Sequence, residues 1–239
     1  MSQLASFEKK KKTIVSSFDQ KLDRLEREVR HVLRLHELNK HVNYSHVIVE
    51  KVNKSFASSS FATVQSELFS SEMLGVCRLW DNFGSDRCSL PTLFKLASDP
   101  DFQAAFDKLW LPKFVNGSNL PSQKRWNDLE KVAIKVAQIV RGPVCDRVRK
   151  HRDKFLAHIL ELSDSPSRRP AAQTDLAQYG DEGFLLRQAV DLTTELFALV
   201  KDGYVNFDVS VEAYAREAKL FSESIRFLTT REYNASRTT

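Results

Sequence analysis

PVCDRVRKHRDKFLAHILEL, residues 143–162, decides how the chain is read. Val144, Val148, Phe155, Ile159 and Leu162 recur at the three-four spacing of a helix that buries one stripe. At about 100° per residue, Arg152 falls inside that stripe, about 40° from Val148, and His158 lies on its edge, about 80° to the other side. A guanidinium on a buried face is costly unless it is paired. The stretch therefore needs either an acid from another helix or a phosphate from a ligand.

On the N-terminal side, Gly142 and Pro143 break or kink the preceding helix, because proline removes a hydrogen bond and disfavours helical geometry in the residue before it. A break leaves a fresh helix N-terminus beside a basic cluster: Arg141, Arg147, Arg149, Lys150, Arg152 and Lys154 face only Asp146 and Asp153. On the C-terminal side, residues 163–180 are polar, hold two prolines and lack periodicity, which predicts a mobile linker. Arg168 and Arg169 on it either touch RNA or are solvated.

Most of the remaining chain is helical in pattern. Phe7, Lys11, Val15, Phe18, Leu22, Leu25, Val29, Val32 and His36 predict a long first helix over 4–39. Residues 46–81 read as a second long helix with a weak point at SSSF, 58–61. Only VNYSHVIVEKV, 42–52, tempts a strand assignment. Ser89 caps a short helix with Pro91 in its first turn, and a further helix runs over 99–111. After a loop over 112–123, a helix beginning near Pro121 presents Trp126, Leu129, Ala133, Val136 and Val140. Helices over 182–202 and 209–229 follow; the first carries Phe184, Leu185, Val190, Leu196, Phe197 and Val200 on its apolar face, and the second carries Phe221, Ile225 and Leu228 among others. The fold expected is all-α: a single domain over 1–239, an elongated helical bundle of about six helices.

Composition narrows the function. Thirty-six Lys and Arg against 31 Asp and Glu make a mild charge of +5, so the total does not announce a nucleic-acid binder. Cys77, Cys88 and Cys145 are odd in number and lack metal-ligand spacing, and they read as reduced thiols of a cytosolic protein. No apolar run approaches a membrane span. Histidines 31, 36, 41 and 46 recur every five residues, which points consecutive rings apart, whereas stacking ligands on one helix face for zinc needs a spacing of four. There is no glycine-rich phosphate loop, close carboxylate cluster, CxxC pair or GxSxG nucleophile. Neither a metal nor a cofactor is expected.

Arg152, Asp153 and His158 in RDKFLAH carry a resemblance to the HEPN superfamily, whose motif is an arginine, a small polar residue and a histidine after four to six intervening positions. RLWD at 78–81 with SLPTLFKLA at 89–97 resembles its AbiU-like, abortive-infection branch, in which Arg78 and Asp81 are typical. The resemblance covers residues 60–162 well; the first 40 and the last 60 residues resemble it only in being helical. It implies an HEPN-like bundle that acts as a dimer through the motif helix, with RNA as substrate and with an antitoxin or another defence protein as a possible partner. Some HEPN toxins carry a tyrosine two residues after the motif histidine, where a partner enzyme modifies it; here that residue is Leu160, so this regulation is not implied.

An arginine and a histidine suffice for RNA cleavage by the substrate's own 2′-hydroxyl, with His158 moving a proton, Arg152 on the phosphate and Asp153 orienting one of them. Arg149, Lys150, His151 and Lys154 are candidate RNA contacts, His151 being equally readable as a surface residue. Lys154, one turn before His158, disfavours the imidazolium. In a continuous α-helix Arg152 and His158 lie about 9 Å apart along the axis and about 120° apart around it, so one copy makes a poor site and two copies about a twofold make a better one. Asp81 is a candidate partner for Arg78, as a structural pair, or for Arg152. The competing reading is a catalytically inactive RNA-binding, nucleotide-binding or structural module in which that pairing alone explains the motif.

Overall fold

A computed structural model describes residues 2–53, 55, 57–84, 86–109, 122–156, 177–201 and 203–225. Among these residues the fold is all-α: α1 Ser2–Val42, α2 His46–Asn53, α3 Ser58–Leu79, α4 Leu90–Ala97, α5 Pro100–Leu109, α6 Ser122–Arg141, α7 Pro143–His151, α8 Asp181–Lys201 and α9 Asp208–Ser224. The stretch 42–52 that tempted a strand assignment is the end of α1, a turn and α2. None of the described helices is long and apolar enough to cross a membrane. The expected loop over 112–121, the linker over 163–176, and Ile159, Leu162 and Leu228 lie outside the described residues.

The second long helix breaks earlier than its serine run suggests. Ser55 Oγ donates to Val52 O at 2.9 Å, Ser55 N donates to the same carbonyl at 2.9 Å, and Ala57 N donates to Ser55 Oγ at 3.2 Å. These local bonds take the place of the helical ladder. The serines at 58–60, read as the weak point, instead open α3.

The chain forms two compact units, Met1–Val29 with Val76–Asn206, and Arg30–Gly75 with Phe207–Thr239. In the first, the α1 stripe is buried as its periodicity requires: Val15, Phe18, Leu22, Leu25 and Val29 are each at most 3% exposed. Phe18 meets Phe102 of α5 with ring centroids 4.5 Å apart, and Phe106 meets Trp126 of α6 edge-on at 5.6 Å. Trp126 Nε1 donates to Asp107 Oδ2 at 3.1 Å, which satisfies the indole among apolar neighbours. α6 packs against α4, α7 and α8, and α7 also packs on α8. On α8, Leu185, Leu186, Ala189, Leu192 and Leu196 turn inward, while Phe184, expected on that face, is 40% exposed. At 100° per residue Phe184 stands about 100° from Leu185, beyond the edge of the buried stripe.

The second unit has its own core of Val42, Ile48, Val52 and Phe61, against which Leu38, Leu68 and Ile225 pack. Phe221 of α9, read as part of an apolar face, is 49% exposed. Beside the core runs a buried polar network between α1 and α3. His36 Nδ1 lies 2.6 Å from Glu72 Oε1, Asn39 Nδ2 donates to Glu72 Oε2, and Asn43 Nδ2 donates to Asn39 Oδ1 at 2.6 Å. Glu72 and Asn39 are at most 1% exposed, so each needs these partners. His36 is thereby committed to a carboxylate of its own fold. Near this network, a Cβ at Gly75 would stand 2.6 Å from Val32 Cγ2. The α1 and α3 backbones approach closely there because residue 75 has no side chain.

Candidate active site

The site lies wholly in the first unit, where the ends of α3 and α6 meet α7. Gly142 holds an extended conformation, φ −74° and ψ 156°, between α6 and α7, and Pro143 occupies the first turn of α7, where a missing N–H costs nothing. The break expected from Gly-Pro is present. α7 buries Cys145 and Val148, and Cys77 Sγ of α3 donates to Val148 O at 3.8 Å.

α7 changes at the motif itself. Arg152–Leu156, RDKFL, form a π-helical stretch, a wider turn in which hydrogen bonds span five residues. The α-helical register that places Arg152 and His158 about 120° apart therefore does not hold through this segment. Such turns are frequent at functional sites because they re-aim side chains that a regular helix would fix. His158 lies outside the described residues.

Arg152 has acid partners. Its Nη1 donates to Asp81 Oδ1 at 3.1 Å and its Nε donates to Asp153 Oδ1 at 2.9 Å. Its side chain is 30% exposed, so the guanidinium sits at the boundary of the core rather than within it. Burial works against the charge, and the bond to Asp153 with the charges of Cys77, Asp153 and Asp81 outweighs it, holding the Arg152 pKa above the ordinary arginine value. Arg78 and Asp81 do not form the pair expected of them: Arg78 Nη2 reaches Glu28 Oε1 at 2.8 Å instead. In a helix Arg78 and Asp81 could have met one turn apart, but α3 ends at Leu79, and Asp81 lies beyond it, where its carboxylate meets Arg152. Arg87, which sequence reasoning did not single out, brings Nη1 to 3.8 Å from Asp81 Oδ2.

Much of the basic cluster holds the structure together. Arg149 Nη2 donates to Trp80 O at 2.5 Å and to Asn82 Oδ1 at 3.2 Å, and its Nη1 donates to Val140 O at 3.2 Å. One guanidinium thus satisfies carbonyls at the C-terminal ends of two helices, α3 and α6, where a cation also suits the helix dipole. Lys150 pairs with Asp146 at 3.0 Å, one turn back. Lys154 is exposed and has no ion-pair partner among the described residues. His151 is half-buried, and burial lowers its pKa, which favours the neutral ring near pH 7. The neighbouring thiols are inert: burial, only partly countered by Arg152, pushes Cys77 up to about 12, and burial likewise raises Cys145.

Arg147 and Asp181 form a bidentate pair, Nε to Oδ2 at 2.8 Å and Nη2 to Oδ1 at 2.7 Å, which ties α7 to the start of α8. Burial raises the Asp181 pKa, but Arg147 and the Gln178 N–H outweigh it and hold the carboxyl below its ordinary value. A carboxylate depressed in the folded state stabilises above its unfolded pKa, about 3.9, and loses that contribution as the pH falls further. Urea midpoints of wild type and Asp181→Asn should therefore differ at pH 7 and converge as the pH drops below about 4. A gap that stays constant with pH would assign the pair no role in acid stability.

Residues 15–221 match the family model described as HEPN_AbiU2, AbiU2. The chain belongs to the AbiU2 family of HEPN proteins. The match runs through both units and includes Asp81, the π turn and the whole motif. The protein is accordingly an abortive-infection-related HEPN domain. No curated protein and no solved structure matches the chain. Within this AbiU2-family chain, the residues that sequence reasoning missed are Arg87 and the carbonyl ends of α3 and α6. Their only trace in sequence is charge in a short loop and at a helix end, which does not reveal a partner many positions away.

Proposed function

We propose that this protein is a metal-independent endoribonuclease that cleaves RNA by attack of its own 2′-hydroxyl, acting in the cytoplasm as a toxin or abortive-infection effector. The observation that carries the proposal is how Arg152 is held. Two of its donors are fixed by Asp81 and Asp153, and Nη2 has no partner among the described residues. A positioned guanidinium with a donor edge left over is suited to bind a phosphate. His158 takes the 2′-hydroxyl proton, the oxygen attacks phosphorus, and the 5′-oxygen leaves with a proton. Arg152 stabilises charge on the non-bridging oxygens, and Asp153 orients Arg152. The products are a 2′,3′-cyclic phosphate and a 5′-hydroxyl. A homodimer joined around residues 143–162 brings two such motifs together.

A second reading has its own support. The Arg152 charge is matched inside the fold, and Arg147, Arg149 and Lys150 are occupied structurally, as an inactive module binding RNA, a nucleotide, an antitoxin or another defence protein would also require. Incubation of the purified protein with total RNA in EDTA separates the two. Cleavage with cyclic-phosphate ends, absent with DNA and lost in Arg152→Ala at equal fold and oligomeric state, supports the nuclease. Binding without cleavage supports the module.

A further inference from the structure

We propose that Arg87 is a second phosphate-binding residue of this site, contacting a phosphodiester of single-stranded RNA next to the one engaged by Arg152. The proposal rests on the ribonuclease reading above and names a part of the substrate's binding surface.

Asp81 shares its carboxylate between two arginines, Oδ1 with Arg152 at 3.1 Å and Oδ2 with Arg87 at 3.8 Å. The two guanidiniums therefore stand on either side of one carboxylate. The second contact is too long for a hydrogen bond, and the Arg87 side chain is 48% exposed. An exposed ion pair of this kind contributes little to stability. The loop that carries Arg87 is nonetheless tied at several points. Lys21 Nζ donates to Arg87 O at 3.1 Å, Arg87 N donates to Gly84 O at 3.0 Å, and Arg149 holds Asn82 Oδ1 at 3.2 Å. The Arg87 stem lies across Gly84, where an added Cβ would come within 3.0 Å of Arg87 Cδ and 3.1 Å of Cγ.

Arg87 and Arg152 both meet Asp81, Arg152 also meets Asp153, and the contacts of Arg149 are to neutral oxygens. With Asp86 of the same loop the acids match the arginines in number, and of Arg87 and Arg152 the Arg87 side chain is the more exposed, at 48% against 30%. Arg87 Nη1 also donates to Asn82 O at 3.3 Å, and a guanidinium held by its own loop yet half-exposed is well placed to bind an anion.

The test uses the full chain and a fluorescein-labelled single-stranded RNA with every 2′-hydroxyl methylated, which cannot be cleaved by 2′-attack. Binding is followed by anisotropy over a salt series. For Arg87→Ala, the slope of log K against log salt should flatten by about 0.7, with weaker binding whatever the RNA sequence. Arg87→Lys should keep the slope, because it keeps the charge. Gly84→Ala, which displaces the stem and removes no charge, should weaken binding. Lys124→Ala is the control for loss of one positive charge, about 25 Å from Arg141 along α6. An Arg87→Ala slope equal to that of wild type or of Lys124→Ala overturns the proposal. If Arg152→Ala still abolishes cleavage of natural RNA in that case, the ribonuclease reading survives. If wild type neither binds the methylated RNA nor cleaves natural RNA, both fall.

Discussion

Replacing His158 by alanine should lower the rate of RNA cleavage by about 10² to 10⁴, the usual contribution of a positioned general acid or base. The loss should fall on kcat, with affinity for a non-cleavable RNA nearly unchanged, because a proton-transfer group acts in the transition state more than in binding. Arg152→Lys is the informative companion. Lysine keeps the charge but has no fork with which to hold Asp81 and Asp153 and still meet a phosphate, so activity should drop by far more than an exchange of like charges suggests. A His158→Ala protein that cuts within a few-fold of wild type would remove His158 from the mechanism.

The largest effect on stability is expected at Trp80. It is 1% exposed, its Nε1 donates to Leu185 O of α8 at 3.1 Å, and its own carbonyl receives Arg149. Trp80→Ala should cost about 3 to 5 kcal/mol, the range for emptying a buried aromatic site. Trp80→Phe should cost less, since most of the volume remains and the carbonyl of Leu185 keeps its helical partner. Urea unfolding at pH 7 measures both. Because Asp81 is the next residue, the alanine variant should also loosen the carboxylate that holds Arg152, and activity should fall before global unfolding is reached. A cost below about 1 kcal/mol would show that the site collapses easily around the gap.

The helices were legible because their stripes are long: the α1 spacing from Val15 to Val32 named side chains that are buried almost without exception. The Gly142-Pro143 break was legible from local chemistry, and Asp81 was one of few acids placed to answer Arg152. What stayed hidden depends on partners in space. Sequence displays the charge of Arg147, Arg149 and Lys150 but not that a distant Asp181, two helix ends and Asp146 absorb it. Part of the basic run is therefore engaged within the fold. The π turn has no signal in sequence, because RDKFL is ordinary helical composition, and α-helical spacing does not hold across a segment of different pitch.

Gly75 carries a consequence for the neighbouring polar network. Glycine inside a helix costs about 0.5 to 1 kcal/mol relative to alanine, and here it admits Val32, a stiff β-branched side chain that cannot rotate out of the way cheaply. Val32 lies one turn before His36 on α1, and Glu72 lies one turn before Gly75 on α3. Contacts of 2.6 Å, such as that between His36 and Glu72, do not stretch to follow two helices moved apart. A single methyl group at position 75 would thus act at a distance, breaking bonds it never touches by resetting the gap they are built to span.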